Sequence, residues 1–307
     1  MITSDRLPSI PERYPLACQW EITCRCNLHC VMCYTDCFNR PEQVRNELPT
    51  EEILRIMDEL AEAGCIELAL TGGEPFARPD FFQIYEHAKA SGFLVTLLTN
   101  GTLITEEIAD RLASLPPHRI EISLHGITER TFERVTQGSG SFARCMRAIG
   151  LLRDRRLSLM LKTTAMTVNK DEVLAVKQYV NGLQESGYTV AYKLGEEMRR
   201  TLEGDDSPGL LALSDEALEA LNRQDAELWT EACRNQSSEA TPCTSGKQRF
   251  HIDAYGQLQL CSGNRQMSYD LRAGSFKDGF YHHLPMFPCA WIAAPHAALI
   301  QPSSTHA

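Results

Sequence analysis

Trp20-Glu21-Ile22-Thr23-Cys24-Arg25-Cys26-Asn27-Leu28-His29-Cys30-Val31-Met32-Cys33-Tyr34 is the stretch that decides how this chain is read. Cys26, Cys30 and Cys33 follow the spacing C-x-x-x-C-x-x-C, directly after the short apolar run Leu16 to Ile22. That order predicts a first strand carrying a loop of thiols at its C-terminal end. Three closely spaced thiolates suit an iron–sulfur cluster, a zinc site, or a disulfide with a spare thiol. A four-iron cluster takes four thiolates, one per iron, so three from one loop leave one iron open for chemistry. On spacing alone zinc is a full rival, because its fourth ligand can come from anywhere.

Downstream of this loop the chain alternates. Asn39 to Leu48 is a polar connection. Thr50 reads as an N-cap with Glu51 and Glu52 in the first turn, and Ile53, Ile56, Met57 and Leu60 recur at helical spacing before Gly64. Ile66 to Leu70 is the second strand. Helices then follow over Asp80–Ala90, Thr105–Leu115, Ser141–Arg153 and Asn169–Ser186. Between and after them come strands Phe93–Leu98, Ile120–Leu124, Leu157–Met166 and Thr189–Leu194. Six strands alternating with helices imply parallel βαβ units with right-handed crossovers. Periodicity does not separate an open sheet from a barrel.

The charged, glycine-containing stretch Glu196 to Pro208 marks a boundary, followed by a helix over Ser214–Cys233 and a polar loop over Asn235–Thr241. Phe250–Ile252 and Leu258–Leu260, joined by Ala254-Tyr255-Gly256, form a hairpin, and Ala290 to Ala307 reads as a loose tail. The domain expectation is therefore a core over 1–195, a helical connection over 196–234 and a cysteine-containing region with tail over 235–307.

The 307 residues allow one large domain and a small one, and 43% hydrophobic with 23% charged content suits a soluble globular core. No apolar run reaches a membrane span, and Met1 to Pro11 lacks the apolar segment of a secretory signal. A net charge of −10 argues against a nucleic-acid binder. Twelve cysteines without a signal favour metal or redox chemistry in the cytoplasm over a disulfide framework. Cys24 and Cys37 break the triad's spacing and read as packing or free thiols. Cys18, Cys65 and Cys145 read as small buried residues.

The cysteine spacing, followed after the next strand by Thr71-Gly72-Gly73-Glu74-Pro75, resembles the radical S-adenosylmethionine (SAM) enzymes. Met32 stands where an aromatic residue is common in that family, with Tyr34 just after the last cysteine. The resemblance implies a partial (β/α)6 barrel with its site at the C-terminal strand ends. It implies a [4Fe–4S] cluster on Cys26, Cys30 and Cys33, whose open iron binds SAM. Gly72, Gly73, Glu74 and Pro75 would meet the SAM amine, with glycines admitting a close approach and Glu74 accepting from the ammonium. Ser123 would meet the ribose or carboxylate, and Arg134, at the matching offset, would pair with the carboxylate through its fork. His125 stands where many relatives carry Asp and reads as a polar strand-end residue. Lys162, Thr164, Asn169, Tyr192 and Lys193 follow the fifth and sixth strands, with no inward orientation assigned.

In the second half, Cys243, then Gly256 and Cys261, then Pro288-Cys289, resemble the opening of SPASM and twitch extensions, which hold auxiliary [4Fe–4S] clusters. Relatives continue with C-x-x-C, whereas Ala290-Trp291-Ile292 follows Cys289 here. Either Cys243, Cys261 and Cys289 hold one auxiliary cluster, with Cys233 or His296 as a fourth ligand, or the site is absent. The family further implies reductive cleavage of SAM to a 5′-deoxyadenosyl radical, and an electron donor such as flavodoxin or ferredoxin. The substrate would be a ribosomally made peptide, or alternatively a small molecule oxidised or built into a cofactor. Too few residues precede the first strand for a separate peptide-binding domain. A rival of another class is a non-catalytic metal–thiolate protein, which leaves the Gly-Gly-Glu turn and Ser123 unexplained.

Overall fold

The computed structural model describes residues 12–35, 41–196, 198–236 and 243–289. Expectations for Cys37, His296, the N-terminal segment and the tail lie outside the described residues. Strands β1 (Ala17–Glu21), β2 (Glu67–Thr71), β3 (Leu94–Thr99), β4 (Arg119–Ser123), β5 (Leu159–Thr164) and β6 (Ala191–Gly195) pair in parallel, each with its sequence neighbour. Helices α1 (Pro41–Arg45), α2 (Thr50–Glu62), α3 (Phe81–Ala90), α4 (Glu106–Ser114), α5 (Glu129–Thr136), α6 (Ser141–Asp154) and α7 (Val173–Gly182) supply the crossovers. Beyond them lie α8 (Asp215–Asn222) and α9 (Ala226–Gln236), two helices where the sequence suggests one.

Strand alternation sets the two faces. Leu68, Leu70, Val95, Leu97, Ile120, Ile122, Leu159 and Leu161 join Ile53, Ile56, Met57 and Leu60 of α2 in one buried core. Each such side chain removed from water contributes about 1.5–3 kcal/mol before chain entropy is counted. Cys18, Cys65 and Cys145 belong to the same core, as expected of small apolar residues. The opposite face carries Thr71, Glu121, Ser123 and Lys162. The N-cap position of α2 is Pro49 rather than Thr50, whose hydroxyl bonds Asp80 at the start of α3.

The C-terminal hairpin is not separate from this sheet. Strand β7 (Arg249–Ile252) pairs in parallel with β1, Cys18 opposite Phe250 and Trp20 opposite Ile252. Strands β8 (Gln257–Gln259) and β9 (Tyr269–Asp270) then add antiparallel. The resulting nine-stranded order is β6-β5-β4-β3-β2-β1-β7-β8-β9. The strand that delivers the cysteine loop thus lies between the barrel series and the hairpin.

Candidate active site

Where β1 ends, its backbone stays attached to β2. The Ile22 amide donates to the Thr71 carbonyl at 2.9 Å, the Gly73 amide to Thr23 at 2.9 Å and the Glu74 amide to Arg25 at 2.7 Å. Gly72 adopts φ +145°, and a Cβ there would sit 2.3 Å from the Thr23 carbonyl oxygen. At Gly73 a Cβ would sit 2.4 Å from the Arg25 carbonyl oxygen and 2.9 Å from the Cys26 Cβ. The neighbour that first demands glycine at both positions is therefore the cysteine loop's own backbone.

Three further anchors hold the loop, none singled out by the sequence pattern. The last carbonyls of α5, left without helical partners, accept from it: Thr136 from the His29 amide at 3.1 Å and Val135 from Val31 at 2.9 Å. Helix α5 itself was missed, although Thr128, its N-cap, and the buried pair Phe132 and Val135 were signals for it. The Glu47 carboxylate accepts from the Thr23 hydroxyl and the Cys24 amide, both at 2.7 Å, and from Arg25 Nε at 3.2 Å. From the end of β3, Asn100 Nδ2 donates to Asn27 Oδ1 at 3.0 Å, and Asn27 Nδ2 donates to the Thr102 hydroxyl at 2.8 Å.

Within this frame the three thiols feel one another. Burial pushes the Cys26 thiol up to about 12, with the charges of Glu74 and Cys33 adding to it. Burial likewise raises Cys30, helped by Cys33 and Cys26. No disulfide joins them. Among the described residues no three His, Cys, Asp or Glu side chains converge on a single ion. Three thiols on one loop within electrostatic reach of one another match the demand of an iron–sulfur cluster for one thiolate per iron.

Glu74 is wholly buried, and its carboxylate accepts from the Thr99 hydroxyl at 2.7 Å, the Asn100 amide at 2.8 Å and the Phe76 amide at 3.2 Å. Burial, only partly offset by these donors, raises it to about 7. Its side chain braces the β2 turn against the end of β3. Pro75, also buried, opens the short helical turn that follows.

A protein-family model, the Radical SAM superfamily, matches residues 20–180. The chain belongs to the radical SAM superfamily. A relative, the AdoMet-dependent heme synthase of Methanosarcina barkeri, is 33% identical over 178 residues, 58% of this chain and 50% of its own. The PqqA peptide cyclase of Rhizobium meliloti is 30% identical over 174 residues, 56% of this chain and 44% of its own. The chain spans about half the length of the curated relatives it matches. The crystal structure of Streptococcus suis SuiB bound to S-adenosylmethionine superposes with a TM-score of 0.69 at 15% identity, covering 88% of this chain and 66% of that one. The fold is thus the radical SAM partial barrel, extended by the C-terminal hairpin.

Enzymes of this superfamily use a [4Fe–4S] cluster and SAM, and the donor set here fits both. Three half-buried thiols lie on one loop, and beside them runs a turn whose Gly72 and Gly73 leave only backbone at the surface of contact. Ser123 ends β4, half-buried, in register with Lys162, whose ammonium lies 3.1 Å from Glu121 on the same face. Arg134 is exposed in the last turn of α5, next to the carbonyls that hold the cysteine loop, and makes no ion pair among the described residues. His125 is buried and lowered to about 4 by desolvation and Lys162. Its Nδ1 accepts from the Thr164 amide at 3.2 Å, so it ties β4 to β5 as a neutral ring.

The second-half cysteines come from three adjoining segments. Cys261 follows β8, and its carbonyl accepts from the Asn264 amide. The Asn264 side chain donates to the Pro288 carbonyl at 3.0 Å, one residue before Cys289. Gly246, three residues after Cys243, packs so closely on Leu260 that a Cβ would sit 2.3 Å from its Cδ2. Cys243 and Cys233 are exposed, while Cys261 and Cys289 are half-buried.

Proposed function

We propose that this chain is a radical SAM peptide-modifying enzyme, with its cluster on Cys26, Cys30 and Cys33. When bound, the cluster and SAM supply reductive cleavage to a 5′-deoxyadenosyl radical that takes hydrogen from substrate. The observation that carries the reading is the backbone strap between the cysteine loop and the Gly72-Gly73-Glu74 turn. It sets the ligand loop and the SAM-side turn as one rigid piece at the C-terminal strand ends, where barrels place their chemistry. Glu74 holds that turn in place, and the backbone of Gly72 and Gly73 meets the SAM amine. Ser123 and Arg134 face the ribose and carboxylate. An acidic chain suits a basic peptide, and the peptide-cyclase relative supports that substrate class.

The test is anaerobic turnover with SAM and dithionite, adding peptides encoded by short reading frames beside the gene, or an iron porphyrin. A peptide should raise 5′-deoxyadenosine release and change mass in step with it. Stimulation by the porphyrin alone would favour the heme-synthase type of substrate. A second expectation concerns Arg134. Arg134→Ala should weaken SAM binding by about 1.5–3 kcal/mol, the worth of a charge-assisted hydrogen bond, with iron content unchanged. Calorimetric titration showing equal affinity would return Arg134 to a solvated surface role.

Cys243, Cys261 and Cys289 hold an auxiliary cluster in this reading, supported by the Gly246–Leu260 and Asn264–Pro288 contacts that draw their segments together. Cys261→Ala should lower iron from about eight to about four per chain, given one thiolate per iron. SAM cleavage should persist and peptide turnover should stop. Wild-type protein that already holds four irons after reconstitution would remove the auxiliary site.

A further inference from the structure

Arg78 is a charged side chain only 6% exposed, and Arg78-Pro79-Asp80 leads into α3 just after the Gly72-Gly73-Glu74 turn. The proline that follows keeps its backbone extended, at φ −82° and ψ 122°, where the short helical turn opened by Pro75 ends. Its guanidinium donates from Nε to Asp80 Oδ1 at 2.9 Å and from Nη2 to Asp80 Oδ2 at 3.0 Å. Nη1 donates to the Ile22 carbonyl at 2.7 Å, and Nη2 to the Leu48 carbonyl at 2.9 Å. The Glu47 carboxylate lies 3.9 Å from Nη1. One side chain thus reaches the end of β1, the segment before α2 and the start of α3.

Both carbonyls belong to segments that carry the cysteine loop. Ile22 leads into it, with its amide held by Thr71 of β2 and its carbonyl by Arg78. Leu48 follows Glu47, whose carboxylate accepts from Thr23, Cys24 and Arg25 on that loop. The Leu48 amide in turn donates to Ala254, between β7 and β8, at 2.9 Å. The stretch from Ile22 to Arg25 is therefore fixed from two sides, by the β2 turn and by Arg78 with Glu47. Its charges balance, since Arg25 and Arg78 face Glu47 and Asp80. A lysine offers its donors from a single nitrogen, whereas the planar fork of arginine reaches Asp80, Ile22 and Leu48 together.

We propose that Arg78 is a positioning residue for SAM cleavage, acting through Ile22 and Glu47 to fix where the loop presents Cys26. The inference rests on the cluster reading above and deepens it, because Arg78 acts through other residues rather than as a ligand. A buried guanidinium that served only to balance charge would need its carboxylates alone. This one also spends two donors on backbone carbonyls of the segments that aim the loop. Without it, those carbonyls and the buried Glu47 carboxylate lose a partner away from water. The entry to the cysteine loop then opens locally, before the barrel itself does.

The test uses the full chain, metal-free and after anaerobic reconstitution, as Arg78→Lys, Arg78→Met and a control, Leu112→Ala. Leu112 is wholly buried on α4, so its truncation lowers overall stability from elsewhere in the core. In the metal-free chain, Arg78→Lys should speed hydrogen exchange at least about tenfold over residues 22–26 and 46–49, while β4 and β5 keep their rates. Leu112→Ala should show no such local change. In the reconstituted chain, Arg78→Lys should bind SAM about tenfold more weakly per cluster and alter the electron paramagnetic resonance signal of the reduced main cluster. Arg78→Met should lose most of its iron; should it fail to fold, Arg78→Lys decides alone. Exchange over the two segments no faster than in Leu112→Ala overturns the assignment, and so does unchanged SAM affinity with an unchanged spectrum. Wild-type chain that takes up no iron would defeat the cluster reading instead, and exchange in the metal-free chain would still judge the hold of Arg78 on the loop.

Discussion

Cys30→Ala is expected to abolish SAM cleavage and strip the protein of its main cluster, whereas Cys24→Ala keeps most of both. The two thiols are six residues apart, but their surroundings differ. Cys30 is half-buried, within electrostatic reach of Cys26 and Cys33, where losing one of three thiolates leaves an iron without a protein ligand. Cys24 packs against Ala254 in a small apolar cluster, with its sulfur 3.3 Å from the Tyr255 hydroxyl. Truncating it removes the weak polar contact with Tyr255, worth about 1 kcal/mol or less. Iron and sulfide counts on anaerobically purified protein, with 5′-deoxyadenosine measured by chromatography, check this. Equal loss in both variants would mean that the ligand set is wrong.

Gly73→Ala should be, with Gly72→Ala, among the most damaging single methyls in the barrel. The added carbon meets the Arg25 carbonyl at 2.4 Å and the Cys26 Cβ at 2.9 Å, both parts of the ligand loop rather than flexible side-chain ends. Relief requires the β2 turn to leave the loop, breaking the amide bonds from Gly73 and Glu74. The expected cost is about 2–4 kcal/mol, with poor cluster loading. Gly150→Ala is the matched control. It lies inside α6 with nothing within 4 Å of the new methyl, so it should stabilise by about 0.5–1 kcal/mol. Urea unfolding of the reduced, metal-free chains compares the two. A Gly73→Ala variant as stable as Gly150→Ala, with full iron, would contradict the strap.

At Gly72 and Gly73 the sequence signal is right for an incomplete reason. Gly72 and Gly73 were legible as positions needing close approach, but what approaches first is the cysteine loop. Glu74 was legible as a functional carboxylate; its burial and its bonds to Thr99 and Asn100 were not, because those partners lie 25 and 26 residues further on. Helix α5 escaped notice because its eight residues are largely polar, with its buried face reduced to Phe132, Val135 and Thr136. The single helix expected over Ser214–Cys233 divides between Asn222 and Ala226, where Asp225 accepts from the amides of Glu227 and Leu228 and so opens a new helix.

By itself the sequence determined the cysteine loop's spacing, the turn after the second strand and the order of six βα units. These are encoded locally: ligand spacing is set by a few covalent links, and helical or strand periodicity by neighbours within two turns. Only the tertiary structure decided that β7 joins the barrel sheet beside β1, since Cys18 and Phe250 are brought together by packing that no local pattern records. It also decided that Val135 and Thr136 hold the cysteine loop and that Gln259 is left with an unmatched oxygen. A side chain's burial and its hydrogen-bond partner are properties of what folds against it. The cysteine spacing and the glycine turn are therefore written in short stretches, whereas the cradle around them appears only once distant segments meet.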